Sequence, residues 1–83
     1  MTYEVKYSQE ALSIIERVDR PVGRRIAVRI SQSAADPLHF FKRLAGSELY
    51  KLRVGDWRVL ALIDQTGKKV FITAMGHRKN VYD

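Results

Sequence analysis

Apolar and polar residues alternate over residues 2–7, with Tyr3, Val5 and Tyr7 on one side and Glu4 and Lys6 on the other. That is the period of a half-buried strand. The pattern then lengthens. Ser8 is placed to cap a helix, Gln9 and Glu10 put acceptors and negative charge in its first turn, and Ala11, Leu12, Ile15 and Val18 recur at helical spacing. The helix ends near Val18, because Pro21 cannot continue it but suits the first turn of a second helix capped by Asp19 or Arg20. Val22, Ile26 and Ile30, four residues apart, give that second helix its apolar stripe. Two helices joined this tightly form an antiparallel hairpin. Asp36-Pro37 marks the exit, and Leu38 to Gly46 is a connection rich in aromatic and basic residues.

After Gly46 the period returns to two. In "ELYKLRVGDWRVLALI" two alternating runs flank Gly55-Asp56, and a Gly at the first central position predicts a two-residue hairpin with a type II′ turn. The turn fixes the register: Val54 faces Trp57, Arg53 faces Arg58, Leu52 faces Val59, Lys51 faces Leu60 and Tyr50 faces Ala61. One face therefore holds Tyr50, Leu52, Val54, Trp57, Val59 and Ala61, a core face for the helices to cover. The other holds Lys51, Arg53, Arg58, Leu60 and Leu62. A loop at Asp64 to Lys68, with Gly67 able to supply a left-handed turn, leads into a last strand from Val70 to Met75, and the sheet is expected to end at Gly76. The remaining "GHRKNVYD" is too polar for a strand and too short for a stable helix. The fold class is α+β: a small single domain, residues 1–83, with an N-terminal strand, a two-helix hairpin, then a three-stranded antiparallel meander, forming one sheet with the helices on one face.

Composition narrows what such a domain does. At 83 residues the chain has room for one small core, and no stretch approaches the roughly 18 apolar residues that span a bilayer. No secretory signal is evident at the start, and with no cysteine there is neither a disulfide framework nor a thiol nucleophile, so a cytoplasmic location is expected. His39 and His77 alone make a poor metal site, and no cofactor is implied; His39, beside Phe40 and Phe41, reads as structural. Fifteen Lys and Arg against nine Asp and Glu give a net charge of +6, which favours a polyanionic partner, nucleic acid or an acidic protein.

The placement of that charge says more than its sum. Like charges directly opposite one another destabilise a strand pair by about a few tenths of a kcal/mol when solvated. Lys51, Arg53 and Arg58 nevertheless share a face on which the hairpin sets no acidic residue to neutralise them, an arrangement ready for phosphates. On the second helix Arg24, Arg25 and Arg29 point away from the stripe, Arg25 and Arg29 one turn apart. They are either a solvated helix face or a surface for an acidic partner or an RNA backbone.

The order of elements, together with "LYKLRVGDWRVLALID" and the closing "MGHRKNVYD", resembles the RelE/ParE superfamily of toxins from toxin-antitoxin pairs, in its RelE branch. The resemblance covers essentially the whole chain. It implies a ribosome-dependent endoribonuclease that cuts messenger RNA in the ribosomal A site without a metal, inhibits translation, and is neutralised by a cognate RelB-like antitoxin through an acidic or amphipathic segment. Carried over by residue, the resemblance makes Lys51, Arg53, Arg58, Arg78 and Tyr82 the catalytic set. Arg53 departs from the lysine of the best-known members: arginine grips a phosphate in bidentate fashion but is a poor proton donor or acceptor. Arg25, Arg29, Lys42, Arg43 and Lys79 are expected contacts for RNA, ribosome or antitoxin.

The residue types fit that chemistry. Attack of a 2′-hydroxyl on the adjacent phosphate needs a proton taken, charge on the phosphorane stabilised, and a proton given to the departing 5′-oxygen. Arg53, Arg58 and Arg78 serve the second need, while Lys51 or Tyr82 amid positive charge serves as base; Tyr82 alternatively stacks on a nucleobase. His77, as an imidazole, is an additional acid/base candidate. Two rival readings stand beside this one: a ParE-like inhibitor of DNA gyrase, and a nucleic-acid-binding module without chemistry.

Overall fold

The computed structural model describes residues 2–77. Strand β1 (Glu4–Tyr7) runs into Ser8, whose hydroxyl accepts the Ala11 amide at 3.0 Å and donates to the Thr73 carbonyl at 2.9 Å. This one side chain caps helix α1 (Gln9–Arg17) and ties its start to the last strand. The buried stripe of α1 differs from expectation at one position. Ala11 is fully buried and Ile14, Ile15 and Val18 lie partly buried beside it, whereas Leu12 is 46% exposed. Positions 11, 14, 15 and 18 share one helical face, and position 12 is rotated away from it.

Helix α2 (Arg20–Ser33) starts at Asp19, which occupies the N-cap without a side-chain capping bond, and Pro21 stands in the first turn. Ile26 and Ile30 are buried as the four-residue spacing predicts. Gly23 is where the helices touch: a Cβ there would lie 2.9 Å from the Ile15 carbonyl oxygen. The connection after Asp36 holds more structure than expected. It forms a short helix α3 (Pro37–Phe40), whose turn begins with the Asp36 carbonyl accepting the His39 amide, and then a two-residue strand β2 (Lys42–Arg43). Phe41, between them, is buried in the core.

Strands β3 (Tyr50–Val54), β4 (Trp57–Asp64) and β5 (Lys69–His77) form the expected antiparallel meander. The complete sheet has five strands in the order β1-β5-β4-β3-β2, with β1 parallel to β5. The sheet is thus mixed and one strand larger than the sequence suggests. Every pair expected across the Gly55-Asp56 turn is present, and Gly55 takes a positive φ of 60° while Asp56 does not, as a type II′ turn requires. In the β4–β5 turn the left-handed residue is Lys68, φ 56°, rather than Gly67. Gly67 instead donates its amide to the Asp64 carboxylate, which sits too close for any Cβ.

Strand β5 also runs further than expected, to His77, and it is not regular. Leu60 pairs with Ala74 but Ala61 with Ile72, so Thr73 is an extra residue, a β-bulge. The bulge shifts the alternation by one. Val70, Ile72 and Met75 all face the helices, and with Ala11, Ile26, Ile30, Leu52, Val54, Val59 and Ala61 they make one core.

Candidate functional site: an open cationic sheet face

The face of the sheet away from α1 and α2 is arranged in rows by the register. Nearest the hairpin turn, Arg53, Arg58 and Gly76 stand side by side. The next row is Lys42, Lys51, Leu60 and Ala74. Beyond it come Leu62, Phe71 and Lys6, with Leu62 39% and Phe71 37% exposed. Among the described residues the carboxylates of this face, Glu4 and Asp64, belong to the far row with Lys69, and Glu4 is 3.5 Å from Lys6. This face therefore carries, among the described residues, cations at the hairpin end and charges of both signs at the other.

Within the cationic end the side chains differ in freedom. Arg53 is exposed, whereas Lys51 and Arg58 are half-buried and the Arg58 Nε is enclosed by protein. A guanidinium's planar fork of N–H groups is suited to a phosphate oxygen. Lys42 joins this cluster because β2 pairs with β3. A two-residue strand leaves no periodic signal in a sequence, so Lys42 reads from sequence only as a basic loop residue. Arg43, its neighbour, takes the other parity and falls outside the row.

The arginines of α2 form a second cationic surface that meets the first. Arg24, Arg25, Arg29 and Arg53 line a cleft of about 580 Å³ over Val28 and Val54. The Arg25 guanidinium packs against the hairpin turn, 3.9 Å from where a Cβ of Gly55 would be, and Arg29 lies over the Phe40 ring at 4.9 Å. Arg53 thus borders both the open face and the helix-side cleft.

His77 does not join the cations. It pairs with Trp57, so it shares the helix side of the sheet; its ring stands edge-on to the indole at 6.0 Å, and its Nε2 is 4.0 Å from the Asp56 carboxylate. The bulge at Thr73 is the reason, since simple alternation from Val70 and Ile72 would have sent residue 77 to the open face. His39 is exposed, its ring edge-on to Phe40 at 4.8 Å. Arg78, Lys79 and Tyr82, named from the sequence, lie outside the described residues. Among the described residues, no helix is long and apolar enough to cross a membrane.

A small sheet backed by a helix hairpin, with opposed arginines on the open face, defines a class, and comparison with known proteins agrees. Residues 5–82 match the family model described as the ParE toxin of type II toxin-antitoxin system, parDE. The chain belongs to this family, and so is a type II toxin of the RelE/ParE superfamily. No curated protein matches its sequence. Among solved structures, a RelBE toxin-antitoxin complex from Mycobacterium tuberculosis superposes with a TM-score of 0.80 at 22% identity, covering 94% of this chain and 100% of that one. The archaeal RelE-RelB complex from Pyrococcus horikoshii gives 0.80 at 24% identity, covering 98% and 100%. A mutant of the E. coli toxin RelE in the free state gives 0.77 at 19% identity, covering 95% and 86%. At these identities the likeness is one of fold.

Proposed function

We propose that this toxin is a metal-independent endoribonuclease that cleaves messenger RNA in the ribosomal A site. The observation that carries the reading is the register of β3 and β4, which sets Arg53 against Arg58 beside Lys51 on a face that leaves the core to the other side of the sheet. Two like charges in register repel each other, and a scissile phosphate between them turns that repulsion into attraction. In the reaction the substrate's 2′-oxygen bonds to phosphorus as its proton leaves, the P–O5′ bond breaks, and the 5′-oxygen is protonated. The products are a 2′,3′-cyclic phosphate and a 5′-hydroxyl. Arg53 and Arg58 stabilise the charge that grows on the phosphorane. Lys51, from the adjacent row, is the nearest described group of this face able to exchange a proton, and Tyr82 and Arg78 complete the set that the family resemblance implies. His77, turned to the helix side, takes no part in that transfer.

The partner follows from the same charge. A cognate antitoxin with an acidic or amphipathic segment neutralises the toxin by covering or distorting the cationic face, and the solved RelE-RelB complexes of like fold support a partner of this kind. Arg25, Arg29, Lys42, Arg43 and Lys79 serve as contacts for this partner or for ribosomal RNA.

The test is in vitro translation with the purified protein and mapping of message ends by primer extension. Cuts that appear only on translated message, and disappear in Arg58→Ala and Tyr82→Phe, are the expected result. The family match to ParE toxins favours one other reading, inhibition of DNA gyrase. Intact message together with accumulation of relaxed DNA in a gyrase assay would establish that reading instead.

A further inference from the structure

We propose that the cavity at the hairpin end of the sheet, between α1 and the Trp57–His77 pair, binds one nucleobase of the RNA whose phosphate lies on the opposite, cationic face. The proposal rests on the RNA-cleaving reading above. The cavity measures about 330 Å³ and is lined by Ile14, Arg17, Trp57, Met75, Gly76 and His77. It stands at the small end of the roughly 300–1,000 Å³ spanned by ligand sites, a size for one flat ring rather than a length of chain. Its lining is of the matching kind: a wide indole surface for stacking, apolar walls from Ile14 and Met75, and polar groups on Arg17 and His77 to meet ring nitrogens and carbonyls.

Two further observations fit a base. The Asp56 carboxylate stands 4.0 Å from the His77 Nε2, so negative charge beside the cavity partly offsets the Arg17 guanidinium that lines it. An uncharged heterocycle with polar edges suits such a mixed lining. The cavity also lies next to the phosphate site in the strand ladder. Arg58 pairs with Gly76, and the neighbouring pair in the same ladder is Trp57 with His77. The two sites therefore occupy opposite sides of one sheet end, one residue apart, and at position 76 no side chain stands between them. The bulge at Thr73 builds the cavity, because it turns Met75 and His77 to this side.

Trp57 is the chain's single tryptophan, so its fluorescence reports on this cavity directly. The experiment titrates the full-length toxin with a labelled 2′-O-methyl RNA tetranucleotide, which cannot be cleaved, and follows indole emission and the label's anisotropy together. Saturable quenching with the midpoint of the anisotropy curve is expected. An abasic version should bind about tenfold more weakly and leave emission unchanged, and inorganic phosphate should not quench. Trp57→Ala should weaken binding by about tenfold, while Trp57→Phe, which keeps a stacking ring, should retain most of it. Saturable anisotropy that is lost in Arg58→Ala but leaves Trp57 emission unchanged would overturn the nucleobase site and leave the phosphate reading standing. Absence of any anisotropy change would overturn the nucleobase site, while the cleavage reading stands or falls separately on the translation assay.

Discussion

Between Tyr50 and Ala61 the same two strands build two surfaces of opposite character. On the helix side Leu52, Val54, Val59 and Ala61 are buried with Ile26 and Ile30 above them. On the other, one residue out of phase, stand Lys51, Arg53 and Arg58. Each core residue gains from its neighbours through excluded water and dispersion, so that face is cooperative. The cations repel one another, and an anion between them offsets that repulsion. A small domain separates stability from function here by parity along the strand, and substitutions on the two faces should separate in the same way.

The largest expected effect is in the core. Ile26→Ala should lower unfolding free energy by about 2–5 kcal/mol in a denaturant titration, with the cleavage pattern of the folded fraction unchanged. Arg58→Ala is its counterpart: cleavage of translated message should fall about 10²–10³-fold, and a fall in cleavage explained wholly by unfolded protein would break the division between faces. Gly23→Ala forces a methyl against the Ile15 carbonyl and should cost about 1–3 kcal/mol by separating α1 from α2. Ser8→Ala removes both the cap of α1 and the bond to Thr73, a loss of about 1–2 kcal/mol visible as a lower Tm. The smallest effect belongs to Arg53→Ala, which relieves the opposed pair and should leave stability within about 0.5 kcal/mol of the parent, or slightly above it.

A pH titration sharpens the core side of the comparison. Burial pushes the Tyr7 hydroxyl above its ordinary value of 10.0. The unfolded chain therefore ionises first, so Tyr7 leaves stability intact below about pH 10 and lowers it as pH rises through the folded value. Tyr7→Phe should flatten that part of the alkaline decline in Tm.

How much of this can be read from the sequence follows the range of the interactions. The β3–β4 register is fully legible because a two-residue turn dictates it locally, and with it come the opposed arginines. Ser8 and Pro21 mark the helices for the same reason. The parallel pairing of β1 with β5 joins the two ends of the chain, and nothing near Val5 or Val70 encodes it. Strand β2 is too short to show a period, so the place of Lys42 beside Lys51 is hidden. The positive φ falls on Lys68 because Gly67 is needed beneath the Asp64 carboxylate, a contact that composition does not reveal. His77 reads wrongly as part of a polar tail, since a bulge leaves the hydrophobic pattern of "VFITAMG" open to either phase.

Thr73 makes that phase a matter of a single residue. Its hydroxyl donates to the Leu60 carbonyl at 3.2 Å and its own carbonyl accepts from Ser8, so the extra residue is anchored on both sides. Were it instead taken into regular alternation, inside and outside would exchange for the rest of the strand: Met75 would turn to solvent and Gly76 would point at the helices, whereas deleting it would leave both on their present sides. The molecule behaves here like a two-position switch, in which whether one residue bulges or pairs decides which surface the end of the strand serves.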